Sequence, residues 1–66
     1  MTKFEAIEAM KAGHKVRHKY FSPDEWMTKT PGGKYLFEDG VICGPSFFWF
    51  DRAHEYWNTD WEIVKE

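Results

Sequence analysis

Cys43 is the only cysteine in a chain of 66 residues, so no disulfide within the chain can staple the fold. A domain this short buries only about 60% of the surface its unfolded form exposes. Its core supplies only about 3–5 kcal/mol unaided. A zinc staple is not expected either. His14, His18 and His54 show no ligand spacing, and on a strand His14 and His18 would stand about 13 Å apart at a rise of ~3.3 Å per residue. Two sources of stability remain: an unusually aromatic core and self-association. The chain holds six Phe, four Trp and three Tyr, and each ring buried removes roughly 150–250 Å² from water.

The length allows one domain, residues 1–66, with no linker, repeat or low-complexity tract. No apolar run nears the roughly 20 residues that span a bilayer. The opening Met1-Thr2-Lys3-Phe4-Glu5 does not read as a signal peptide. A free cysteine without a secretion signal fits a reducing cytoplasm. The formal net charge of −2 argues against coating long nucleic acid. That charge is uneven: residues 1–20 hold five cations against two acids, while residues 21–66 hold four against nine. A basic strip on an acidic protein suits a small anion better than a long polyanion. A solvated strand face explains the same strip equally well.

Thr2 and Glu5 have capping-box spacing, Phe4, Ile7 and Met10 recur at helical spacing beside Ala6, Ala9 and Ala12, and Gly13 suits a left-handed stop. These features predict a helix over residues 3–12. Residues 14–21 alternate: Val16, His18 and Tyr20 share one face, while Lys15, Arg17 and Lys19 share the other, a row that Phe21 ends. Residues 22–25 turn at Pro23, and residues 26–30 form a second strand. Pro31, Gly32 and Gly33 lead to a third strand over 35–38, and Asp39-Gly40 is a hairpin signal into a fourth over 41–43. The run Ser46-Phe47-Phe48-Trp49-Phe50 reads as a strand packed on both faces or as a loop whose rings insert into a partner. Asp51 is placed to cap a short helix over 52–57, and residues 61–64 alternate as a last strand. Close turn signals without a βαβ rhythm predict an antiparallel sheet. The expected fold is α+β: an N-terminal helix packed on a small antiparallel sheet of four to five strands, with a short helical turn near the C-terminus. Phe4, Tyr20, Phe37, Phe47 and Trp61 are the expected interior rings, which leaves Phe21, Trp26, Trp49, Tyr56 and Trp57 for a surface.

Catalysis finds little support. Cys43 lies in an apolar strand with no adjacent base. The acidic pairs Asp24-Glu25 and Glu38-Asp39 fall at turns, with little chain left to build a cleft between them. Gly32-Gly33 lacks the Lys-Ser/Thr and helix of a phosphate loop. The chain is expected to be no enzyme and to hold neither metal nor cofactor. Binding is better supported, because a cluster of surface aromatics marks an interface. Rings beside cations have a second use: they stack on nucleobases while Arg and Lys hold phosphates. Arg17, Lys19, Tyr20 and Phe21 supply that combination within five residues. Filling the core of a small dimer is the other use of the same rings.

Residues 4–17 carry Phe4, Glu5, Ala6 and Ile7, then Gly13, Lys15, Val16 and Arg17. This stretch resembles the start of a group of small phage and prophage proteins, in which a helix, a Gly and a basic strand are followed closely by an aromatic. The close, with Asp60, Trp61, Glu62 and Ile63 in sequence, resembles that group's terminal Asp-Trp-Glu-hydrophobic strand. The group is the second-named Thoeris anti-defence sponge family. Its common Arg-x-x-Trp after the first strand is replaced here by Arg17-His18-Lys19-Tyr20-Phe21, and residues 22–57 are shorter than usual. The resemblance implies a phage protein that binds a nucleotide-derived immune signal, a cyclic ADP-ribose isomer or a cyclic oligonucleotide, and sequesters it without turnover. It also implies a homo-oligomer with the nucleotide at a subunit interface, acting in the cytoplasm of the infected bacterial host.

On that footing Arg17 and Lys19 are expected to neutralise phosphates, and Tyr20, Phe21 or Trp26 to stack on the base. Asn58, Thr59 or Asp60 would bond ribose hydroxyls or base edges. Phe47, Phe48, Trp49 and Trp57 are the expected interface residues. The alternative belongs to a different class: a small phage inhibitor that docks its aromatic patch on a host defence or replication protein. Neither reading calls for a membrane, and long nucleic acid is not an expected partner.

Overall fold

The first helix, α1, spans Lys3–Lys11 in the computed structural model, which describes residues 1–65. It begins with the predicted capping box. The Glu5 N–H donates to Thr2 Oγ1 at 3.1 Å, and the Thr2 N–H donates to Glu5 Oε1 at 2.8 Å. It ends in a Schellman turn, where the His14 N–H reaches the Ala9 carbonyl and the Gly13 N–H reaches the Met10 carbonyl, both at 3.0 Å. Gly13 takes φ 94° there, which a side chain would oppose. The buried stripe of α1 is Ala6 and Met10. Phe4, an expected core ring, is 74% exposed. It precedes Ala6 by two residues and so lies about 200° round the helix from it. The orientation that seats Ala6 and Met10 on the sheet carries Phe4 outward.

Among the described residues five antiparallel strands follow: β1 Val16–His18, β2 Met27–Lys29, β3 Tyr35–Phe37, β4 Ile42–Cys43 and β5 Trp61–Ile63. Their order is β4-β3-β2-β1-β5, so the last strand returns beside the first. The α+β expectation holds. Val16 opposes Met27, Met27 opposes Phe37, and His18 opposes Trp61. Because side chains alternate along each strand, these residues share one face with Tyr35, and α1 lies on that face. The core is Ala6, Met10, Val16, Phe21, Met27, Tyr35, Phe48 and Trp61. The opposite face carries Arg17, Thr28, Leu36 and Glu62.

Three segments depart from the sequence reading. Residues 19–21 leave the sheet in a turn, with the Phe21 N–H bonded back to the His18 carbonyl at 2.9 Å. A turn ends strict alternation, so Phe21 swings into the core (7% exposed) and Tyr20 swings out (57%), the reverse of their expected places. Residues 46–50 are neither strand nor loop. They belong to a second helix, α2, spanning Pro45–Phe50, with Pro45 in its first turn. Helical spacing divides the rings: Phe48 and Trp49 turn inward, while Phe47 and Phe50, three residues apart, share the outward side. Phe47 therefore leaves the expected interior. Finally, Asp51 ends α2 instead of capping a helix over 52–57. The later turn is a 3₁₀ helix over Glu55–Asn58, capped by His54, whose Nδ1 accepts from the Tyr56 N–H.

Candidate ligand-binding site

β1 runs through the sheet and delivers His18 to its end, beneath the 3₁₀ turn. His18 is fully buried. Its ring lies 4.3 Å from Trp57, 5.0 Å from Trp61 and 5.3 Å from Tyr20, centroid to centroid. Both ring nitrogens are used. The Tyr20 N–H donates to Nδ1 at 3.1 Å, so the ring proton belongs on Nε2. Nε2–H then donates to the carbonyls of Thr59 at 2.7 Å and Tyr56 at 3.0 Å. One imidazole thus ties the turn after β1 to the segment before β5. The Lys19 N–H, donating to the Asp60 carbonyl at 3.1 Å, adds a second tie.

These ties assemble a surface. The Tyr20 ring meets Tyr56 edge-on at 5.2 Å, and Tyr56 lies 4.2 Å from His54. Lys19 Nζ stands 5.4 Å from the Tyr20 centroid. Tyr20 and Tyr56 are exposed, as are Asn58, Thr59 and Asp60. Asp60 takes φ 68°, a left-handed conformation that Asp tolerates better than most residues. The Thr59 hydroxyl donates to its carboxylate at 3.4 Å. The arrangement presents ring faces, a cation and polar groups on one end of the molecule.

Of the expected ligand residues, Lys19, Tyr20, Asn58, Thr59 and Asp60 come together here, while Phe21 lies buried beneath them. Arg17 and Trp26 are not brought into the cluster. Arg17 lies on the opposite sheet face, where Nη1 donates to Glu62 Oε1 at 2.8 Å and Nη2 reaches the Phe21 and Ser22 carbonyls at 3.4 Å. It is a cross-strand tie. Trp26 is half-buried, with Lys15 Nζ 4.4 Å from its ring centroid. The sequence reading did not assign His54 and Tyr56 to the ligand. The signal for them was a His two residues before a Tyr at the entry to a short turn, a spacing that lets the imidazole cap the turn.

The expected interface residues divide differently. Phe48 is buried, 5.5 Å from Tyr35. Trp49 is half-buried and donates its Nε1–H to the Tyr35 hydroxyl at 2.9 Å. Burial pushes the Tyr35 phenol above its ordinary value, against the opposing pull of the Trp49 bond. Trp57 is half-buried over His18, and its carbonyl accepts from Trp61 Nε1 at 2.7 Å. Phe47 alone of the four is exposed, and Phe50 joins it. With Ser46 these two rings line a cleft of about 330 Å³.

Among the described residues no group of three or more His, Cys, Asp or Glu side chains is placed to hold a metal. Nor is any helix long and apolar enough to cross a membrane. Comparison of the chain with protein-family models, with curated proteins and with solved structures finds no match.

Proposed function

We propose that this protein binds a small nucleotide-derived signal and sequesters it without turnover, as a phage anti-defence protein in the host cytoplasm. The observation that carries the reading is the exposed Tyr20–Tyr56 pair, held beside Lys19 and the 58–60 turn by the buried His18. Tyrosine faces stack on a base, Lys19 offers charge to a phosphate, and Asn58, Thr59 and Asp60 offer hydrogen bonds to ribose or a base edge. Both rings stand open to solvent, so a second copy of the chain would be needed to enclose the ligand. Binding of this kind lowers the free concentration of a cyclic ADP-ribose isomer or a cyclic oligonucleotide by mass action alone.

Native mass spectrometry of the purified protein, mixed with a panel of those cyclic nucleotides, tests this reading. An oligomer carrying an unmodified nucleotide is expected. Tyr20→Ala combined with Tyr56→Ala should lose the ligand and keep the fold, because neither ring belongs to the core. A wild-type protein that stays ligand-free against the whole panel refutes the proposal.

A separate observation favours a second reading, in which the chain docks on a host protein. Phe47 and Phe50 stand 77% and 83% exposed on one side of α2, and exposed aromatic anchors are the usual centres of protein interfaces.

A further inference from the structure

We infer that the edge of β4 and the outward side of α2 form one docking surface, and that its occupant is an extended, cationic segment of another protein. The inference rests on the second reading above and is independent of the nucleotide site. β4 is an edge strand. The Phe37 N–H donates to the Val41 carbonyl at 3.0 Å, and Tyr35 opposes Cys43. These are the hydrogen-bonded rungs, so the N–H and C=O of Ile42 point away from the sheet. Val41 and Ile42 are themselves 55% and 58% exposed. An open edge with apolar side chains accepts an added strand. α2 begins two residues after β4 and contributes Phe47, Phe50 and the cleft between them. Val41 shares the sheet face on which α2 packs, whereas Ile42, opposite Leu36, stands on the other, so an added strand meets one with each of its own faces.

Charge selects the occupant. From residue 38 to residue 51 the chain carries Glu38, Asp39 and Asp51 and no Lys or Arg, and the next cation, Arg52, is half-buried with its guanidinium 4.0 Å from the Phe48 centroid. All three acids are exposed. A partner strand bearing Lys or Arg neutralises them, whereas a second copy docked face to face would set them against each other. Nor does the basic strip of a second copy supply the strand. Lys3 lies over Trp49, Lys11 pairs with Glu8, Lys15 lies over Trp26 and Arg17 pairs with Glu62, while Lys19 sits in the turn after β1 and not in a strand. β1, which carries Arg17, is already paired on both edges.

A displayed library of random ten-residue peptides, selected on the intact protein and counter-selected on the Phe47→Ser/Phe50→Ser variant, tests the inference. Both rings are outside the core, so the variant should fold. Enriched peptides are expected to alternate apolar residues with Lys or Arg, to bind the variant at least about tenfold more weakly, and to slow hydrogen exchange at the Ile42 amide when bound. Enriched peptides that lack cations, or that leave Ile42 exchange unchanged, would overturn the inference while leaving α2 as a docking element. Absence of enrichment over the variant would overturn both the inference and the second reading. Self-association in analytical ultracentrifugation that the same variant abolishes would assign the surface to a second copy and also overturn the inference.

Discussion

Replacing His18 by Phe is the sharpest probe of how this chain holds its candidate site. Phenylalanine keeps a ring among Trp57, Trp61, Tyr20 and Phe21, so little packing is lost. What disappears is the polar tie: the Tyr20 N–H loses its acceptor, and the Thr59 and Tyr56 carbonyls lose their donor. A buried group left without a partner costs about 1–3 kcal/mol. Tyr56 and Thr59 are exposed residues, so water replaces part of what their carbonyls lose, and a total near 2–3 kcal/mol is expected. Against a total stability of about 3–5 kcal/mol this is most of the reserve. At about 4–8 °C per kcal/mol for a domain of this size, the melting temperature should fall by roughly 10–20 °C. Two controls separate the halves of the tie. His18→Gln places an amide donor near the Nε2 position, and His18→Asn places an acceptor near Nδ1, so both should melt between wild type and His18→Phe. Circular dichroism melts, with urea titrations to confirm an unchanged m-value, read the order. A His18→Phe protein that melts with wild type would show that ring packing alone holds this end, and the reasoning fails.

Three further outcomes follow from the same contacts. Arg17 is one-quarter exposed and Glu62 well exposed, so a double-mutant cycle between Arg17→Ala and Glu62→Ala should give a coupling of at most about 1 kcal/mol. Arg17→Ala alone should cost more than Glu62→Ala, because it also loses the Phe21 and Ser22 carbonyls. The Thr2 backbone N–H, and then its side chain, hold the Glu5 carboxyl below its ordinary 4.5. That contribution is present above pH 4.5 and lost as pH falls through the lowered value, so Glu5→Gln should flatten the acid limb of a melting-temperature profile. Burial holds the Tyr35 phenol above its ordinary 10.0. Its contribution is complete below pH 10.0 and lost as pH rises through the raised value. Tyr35→Phe should remove that alkaline loss while weakening the neutral protein, since Trp49 Nε1–H then lacks its acceptor; an unchanged alkaline limb would contradict this.

What could be read from the sequence was what local chemistry decides. The capping box at Thr2 and Glu5, the stop at Gly13 and the Asp39-Gly40 hairpin each depend on a few adjacent residues, and each stands where expected. Alternation located the first and last strands and turn signals the three between, but both overran the strand ends, because strands of two or three residues leave the period too little length to register. The run at 46–50 carried no polar residue after Ser46 to reveal a helical stripe. Pro45, which suits a helix's first turn, is the one local signal for α2. The aromatic partition failed at Tyr20 and Phe21 for a related reason: a turn at residue 19, closed by the Phe21 N–H on the His18 carbonyl, inverts which ring faces in, and residues 19–21 hold no Gly or Pro to announce it. The candidate site was legible in part. Lys19, Tyr20 and residues 58–60 were named because rings, cations and loop polars are recognisable types. Arg17 was expected among them because its partner, Glu62, lies forty-five residues away, beyond any local pattern.

The basic strip, which looked like a row of cations awaiting an anion, is mostly spent within the chain. The cations differ in what they touch, and that difference decides which can serve a ligand. Lys3 and Lys15 lie 4.4 Å from the centroids of half-buried Trp49 and Trp26. Drawing either ammonium away would uncover indole surface that its aliphatic stem now helps to shield. Arg17 is fixed from both sides, by a carboxylate and by two carbonyls. Lys19 leans on Tyr20, whose ring is already 57% exposed, so moving its ammonium onto a phosphate uncovers little that water does not already reach. The same displacement frees the ring face that a base would occupy. On the proposed reading, ligand stacking and phosphate neutralisation would draw on one small side-chain movement, above a backbone tied by the Lys19 N–H to Asp60 and by His18.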